Sequence, residues 1–343
     1  MARKTFVKAF IDPDLRKDWK KFLKKFPYLF WVQAMNIEEE KDWKALVRKR
    51  KPDLKVEPRI PVGAADYAAI SKARRDVYFC LARSFSEPSS GLVNDLQNES
   101  FLEVLERGMQ LFVPSSRTQE GLRILREYIS TVKNDDKRKL LRRLRGEHLT
   151  IFYDSFFPWL SCYESVYRGE KQIMGDLTAM VKDSYRFAGY RLTGEYGNDP
   201  PDDAKIELEF MYRLCEDELQ SWLSGDREAA LSYLDMQRFH LWDHLIEWIP
   251  FLCDDLLTPE FREGVVEKFQ KHSDLQREKS KEFEFYVSIA TLTKAVLESD
   301  YNQVATMGRI GREMDADEVA KELQGVEPID TSTERFALEK SSK

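Results

Sequence analysis

The sequence predicts an all-α fold, a single bundle of about eight to ten helices, on three observations. Apolar residues recur at three- and four-residue steps through nearly every long segment. No stretch shows the sustained alternation of a half-buried strand bounded by hairpin turns. The chain has 343 residues, 42% of them hydrophobic, which is enough for a sizeable core.

The first periodic segment is "AAISKARRDVYFCLARSFSEP". Ile70, Ala73, Val77, Tyr78, Leu81, Ala82 and Phe85 share a helical face there, and Pro88 stops the run. The same period predicts helices over 101–112, 119–132, 137–152, 171–188, 203–223, 229–252, 259–272 and 281–298. Domain boundaries follow from composition. Residues 1–65 form a basic, aromatic extension ("DWKKFLKKFPYLFW") ending in the Pro-rich linker "PDLKVEPRIPVG". Residues 66–300 carry the bundle. Residues 301–343 are polar and Gly-interrupted, and "TSTERFALEKSSK" reads as a flexible tail.

Charge is unevenly spread. Residues 1–51 hold fifteen Lys/Arg against seven Asp/Glu, whereas the whole chain has a net charge of −6. The remainder is therefore strongly acidic, and 199–218 alone sets eight acids against Lys205 and Arg213. An acidic body suits a basic ligand. The basic arm carries no nucleic-acid motif, so no nucleic-acid partner is expected. No run of about 18 apolar residues predicts a membrane span. The N-terminus lacks the apolar core of a secretory signal, and Cys80, Cys162, Cys215 and Cys253 lack CxxC spacing. These features fit a reducing cytoplasm and argue against a zinc site.

Chemical motifs are scarce. The chain has no GxxxxGK[ST], no dinucleotide fingerprint and no nucleophile elbow. The best metal candidate is His240, His244 and Glu247, on one helical face but without an HExxH glutamate; local hydrogen bonding is the simpler reading. In "DPPDD" the prolines restrict the loop, and an aspartate is expected to cap the next helix. Trp159, Trp242 and Trp248 could line a pocket, although their helical spacing fits a core.

Taken in order, six segments resemble the TorD/DmsD/NarJ family of redox-enzyme maturation chaperones. They are "VYFCLARSFSEP", "LRGEHLTIFYDSF", "CYESVYRGEKQIMGDLTAMVKDSYRFAGY", "DPPDDAKIELEFMYRLCEDE", "QRFHLWDHLIEWIPFL" and "FEFYVSIATLTKAVLESD". The resemblance spans about residues 70–300. It departs from the family pattern at Asp203, where histidine is common, so no role needing an imidazole there carries over.

The resemblance implies a non-enzymatic, cofactor-free, cytoplasmic chaperone with a TorD-like helical fold. Its partner would be the catalytic subunit of a molybdopterin oxidoreductase or that subunit's twin-arginine leader peptide. It implies no stable membrane insertion, and a monomer or homodimer. A binder for basic residues followed by an apolar stretch needs an apolar groove with a carboxylate rim. Tyr163, Glu164, Ser165, Tyr167, Asp199, Pro200, Asp202, Asp203, Glu207, His240 and Trp242 are the expected client-binding residues. Glu164 could instead cap a helix or pair with an arginine, and Tyr163 could be core. Two other readings are a metal-dependent helical enzyme using His240, His244 and Glu247, and an adaptor acting through the basic arm.

Overall fold

The computed structural model describes residues 57–153, 160–170, 174–193, 199–259, 261, 283–314 and 337–341. Residues 1–56 of the basic extension expected at 1–65, and most of the helix expected at 259–272, lie outside the described residues. In chain order the helices are α1 (Ala64–Phe85), α2 (Ser90–Gln97), α3 (Ser100–Phe112), α4 (Ser116–Val132) and α5 (Lys137–His148). There follow the short α6 (Glu164–Tyr167), α7 (Asp176–Phe187), α8 (Ala204–Leu223), α9 (Arg227–His240), α10 (Ile246–Leu257) and α11 (Glu284–Gly311). Two π turns, Leu149–Tyr153 and Leu241–Leu245, follow α5 and α9 without a break.

Local chemistry sets many of these boundaries. Ser89, Ser115, Asp136 and Asp226 each accept a backbone N–H from the first turn of α2, α4, α5 and α9. The π turns mark the two places where an expected uniform α-helix widens its hydrogen-bond pattern. The second precedes Pro250, which has no N–H to give to the carbonyl one turn back.

α1 and α8 lie against each other at the centre of the bundle. α3 packs on α1, α9 on α8, and α11 runs past α4, α9 and α10. Small residues allow the closest approaches. A Cβ on Gly108 would sit 2.6 Å from Val77 Cγ2, and one on Gly121 would sit 2.7 Å from Leu292. Tyr67 and Trp222 meet across the α1–α8 seam with ring centroids 4.5 Å apart.

A polar network is sealed inside this core. Arg74 of α1, with no exposure, gives Nε and Nη2 to the two Asp300 oxygens of α11 at 2.6 and 2.9 Å. Its Nη1 donates to Glu218 of α8 at 2.9 Å. Tyr78 OH donates to Asp300, while Ser71, Trp222 and Gln237 all donate to Glu218. The pair of carboxylates holds the Arg74 guanidinium well above its ordinary pKa despite burial that acts the other way.

The carboxyl-terminal boundary differs from the sequence expectation. α11 continues to Gly311 rather than ending at 300, because Val304 and Met307 extend its apolar face into the core. Residues 337–341 are not a loose tail. Strand β2 (Leu338–Lys340) pairs antiparallel with β1 (Tyr190–Leu192), and Leu338 is buried. The alternation is too short for a sequence pattern to reveal.

Removing Arg74 would leave two buried carboxylates without their shared cation. Arg74→Met is expected to cost about 3–5 kcal/mol, measured as the loss of unfolding free energy in urea.

Candidate functional site

The site is built where the "CYESVY" turn meets the "DPPDD" loop. Tyr163 and Asp203 form an isolated antiparallel bridge, in which Glu164 N donates to Asp202 O at 2.9 Å and Ala204 N to Cys162 O at 2.8 Å. The two aspartates then cap two helices. Asp202 Oδ2 accepts Ser165 N of α6 at 2.9 Å, and Asp203 Oδ1 accepts Lys205 N of α8 at 3.0 Å. Their other oxygens tie in further elements. Thr178 of α7 donates to Asp202 at 3.1 Å, and Tyr153 OH, turned in by the first π turn, reaches Asp203 at 3.1 Å. Tyr185 OH donates to Pro201 O at 2.8 Å. Lys205 bonds Asp199 at 3.1 Å and lies 3.7 Å from Asp203.

Behind this double cap lies a dense group of ionisable side chains. The second π turn presents His244, whose Nδ1 lies 3.0 Å from Glu164 Oε2. Arg168 Nη1 donates to Glu164 at 2.5 Å and to the carbonyl of Asp243 at 2.7 Å. His240 stacks 5.1 Å from His244, and its Nε2 is 3.8 Å from Glu207 Oε2, beyond a hydrogen bond. Burial, then Glu164 and Asp202, push the Glu207 carboxyl well up. Burial, then His244, push the His240 imidazole well down. Both groups therefore favour their neutral forms, and their contact is not an ion pair.

The expected client-binding residues separate into two sets. Glu164, Ser165, Tyr167, Asp202, Asp203, Glu207 and His240 are all buried. This corrects the expectation of a carboxylate rim. Their polar atoms face inward to cap helices and to meet other ionisable groups, and Tyr167 OH donates to Asp255. Tyr163, Asp199 and Pro200 are half-buried, and Trp242 is at the surface, stacked 5.0 Å from Tyr301. Trp248 is core, and Trp159 lies outside the described residues.

The metal constellation is not assembled either. Among the described residues no group of three His, Cys, Asp or Glu could hold a metal ion. His244 is engaged by Glu164, and His240 points to Glu207.

Sequence reasoning missed the most exposed apolar residues nearby. Met180 and Phe187 of α7 are 57% and 79% exposed, and Phe239 of α9 is 56% exposed. Ser184 lies between Met180 and Phe187 on the same helical face and sits 3.4 Å from His244 Nε2. The His244 ring is in turn 6.4 Å from Phe239. Ser184 of α7 and Phe239 of α9 thus both approach the same buried imidazole. The signal was available: Leu177, Val181 and Tyr185 fill the inward stripe of α7, which leaves Met180 and Phe187 on its wet side.

Burial pushes the Asp203 carboxyl up to about 6, partly offset by Lys205. A folded-state pKa above the unfolded one stabilises the fold at low pH, and that contribution is lost as pH rises through the folded value. Stability should therefore fall between about pH 4 and pH 7 by an amount on the order of 3 kcal/mol from this group alone. Asp203→Asn keeps a capping side chain without the titration. Its urea midpoint should vary less with pH over that window than that of the unaltered protein.

Comparison with known proteins agrees with this architecture. The family described as nitrate reductase delta subunit matches residues 115–254, which contain the turn, the loop and α7 to most of α10. The chaperone protein TorD of Photobacterium profundum is 24% identical over 196 residues, covering 54% of this chain and 82% of that protein. No solved structure matches the chain. With the six ordered segments and the all-helical fold, these two matches make the chain similar to the TorD/NarJ family of maturation chaperones.

Proposed function

We propose that this protein holds the catalytic subunit of a molybdopterin-dependent oxidoreductase, or its twin-arginine leader, in the cytoplasm during assembly, without a chemical step of its own. The observation that carries the reading is the exposed apolar group of Met180, Phe187 and Phe239 beside the double-capped turn. Large apolar side chains left in water at one place mark a surface that awaits a partner. Tyr163, Asp199, Pro200 and Trp242 lie on accessible parts of the same turn, loop and π segment and complete the proposed contact surface.

The buried residues of the motif serve this surface indirectly. Asp202 joins α6 to α7, and the Glu164–His244 and Glu164–Arg168 contacts fix the π segment against the turn. A rigid platform lowers the ordering cost of binding, so the exposed aromatic groups can supply affinity. Burial of such side chains contributes roughly 25 cal/mol per Å² of apolar area before ordering costs. Half-buried Asp199 offers negative charge to a basic segment, although Lys205 already neutralises part of it.

The test is a tagged pull-down from the native organism with mass spectrometry of the retained proteins. The unaltered chain should retain a molybdopterin-enzyme catalytic subunit. The Phe187→Asp, Phe239→Asp double variant should lose it at least tenfold while melting at an unchanged temperature. Full retention by that variant would remove the apolar surface from the reading, and retention of no such subunit by either chain would remove the reading itself.

A further inference from the structure

The strand formed by residues 337–341 is seated as a bound peptide would be. Its main chain is read on both edges. Thr193 N donates to Ala337 O at 2.9 Å, and Ser341 N donates to Gly189 O at 2.7 Å. Ala337 N and Leu338 N both donate to the Glu209 carboxylate of α8 at 2.9 Å. Arg213, one turn along α8, donates from Nη2 to Leu338 O at 3.0 Å. A buried side-chain carboxylate that receives two consecutive backbone amides takes the place of a neighbouring strand, and it does so for any extended segment.

Side-chain reading is confined to two positions. Ala337 and Leu338 are buried, so a small and then an aliphatic residue are required. Lys340 gives its ammonium to Asp217 at 2.7 Å and lies 5.9 Å from the ring centroids of both Tyr190 and Tyr233. Tyr190 OH donates to the same Asp217 at 2.7 Å, which fixes the acidic group for its cation. A carboxylate flanked by two aromatic faces accepts arginine as readily as lysine. Glu339 between them is exposed and pairs with the exposed Arg191.

We propose that the Gly189–Thr193 edge with Glu209, Arg213 and Asp217 is a second peptide-binding site. It takes an extended partner segment bearing an aliphatic residue and, two positions on, a lysine or arginine, and Ala337–Ser341 fills it in cis. This site begins two residues after Phe187 of the apolar surface proposed for the client, and it differs from that surface in its polar lining, Glu209, Arg213 and Asp217 of α8. A ribbon of three paired residues is marginal by itself, so the cis strand is exchangeable. Being part of the same chain, it competes with any partner segment for the site.

A fluorescein-labelled peptide of residues 333–343 (TERFALEKSSK) serves as the probe, titrated by anisotropy into the full chain. The unaltered chain should bind it weakly. Full-length Leu338→Asp and Lys340→Glu chains, whose own strands are impaired, should bind it at least tenfold more tightly. Lys340 is exposed, so Lys340→Glu keeps the test valid if Leu338→Asp fails to fold. A probe with glutamate in place of Lys340 should lose at least tenfold on either variant. Equal binding by all three chains, with melting temperatures unchanged, would overturn the proposal. So would a concentration-dependent dimer of the unaltered chain that Lys340→Glu dissociates, since the site would then belong to a second copy.

Discussion

A guanidinium with no access to water has to be paired inside the protein, and Arg74 constrains the whole bundle through that requirement. Its fork can be filled only when Asp300 of α11 and Glu218 of α8 arrive at fixed depths along α1. Leaving either carboxylate short of its partner costs several kcal/mol, so helix register is set by polar geometry as much as by apolar packing. Gln237 extends the same constraint to α9 by donating to Glu218. Four helices are thereby held in one alignment.

That alignment fixes α8, and α8 carries both ends of the functional reading. At its start, Asp203 caps the helix while Asp202 caps α6 across the bridge, so two of the segments that carry the family resemblance are a single hydrogen-bonded unit. Further along, Glu209 and Arg213 hold β2. The acidic residues of 199–218 are therefore spread over distinct structural tasks. The expected carboxylate rim does not form from these residues, because a helix packed on several sides sends its carboxylates in several directions.

The burial of Glu164, Glu207, His240 and His244 changes how the motif relates to binding. Groups that sit 0–1% exposed act through the elements they position. The turn, the π segment and α7 are cross-tied by them, and the exposed Met180, Phe187 and Phe239 stand on that frame. Keeping ionisable groups in the interior requires that they be paired or neutral, and both solutions occur here: Glu164 is paired with Arg168 and His244, whereas Glu207 and His240 favour neutrality.

The sequence by itself determined the helical class, most helix positions and the capping of α8 by an aspartate of "DPPDD". Helical periodicity and capping are local, so Ile70 to Phe85 or Asp203 can be read without knowing what they touch. Six ordered segments also carried the family resemblance. Only the tertiary structure decided which of the motif's side chains are inside. A carboxylate's burial depends on groups distant in sequence, such as His244 against Glu164, 80 residues apart. The same limit hid the strand at Leu338–Lys340, whose three residues carry no pattern of their own and are ordered by Tyr190–Leu192 and Glu209. Periodicity reports which face a helix hides; it does not report what two hidden faces do when they meet.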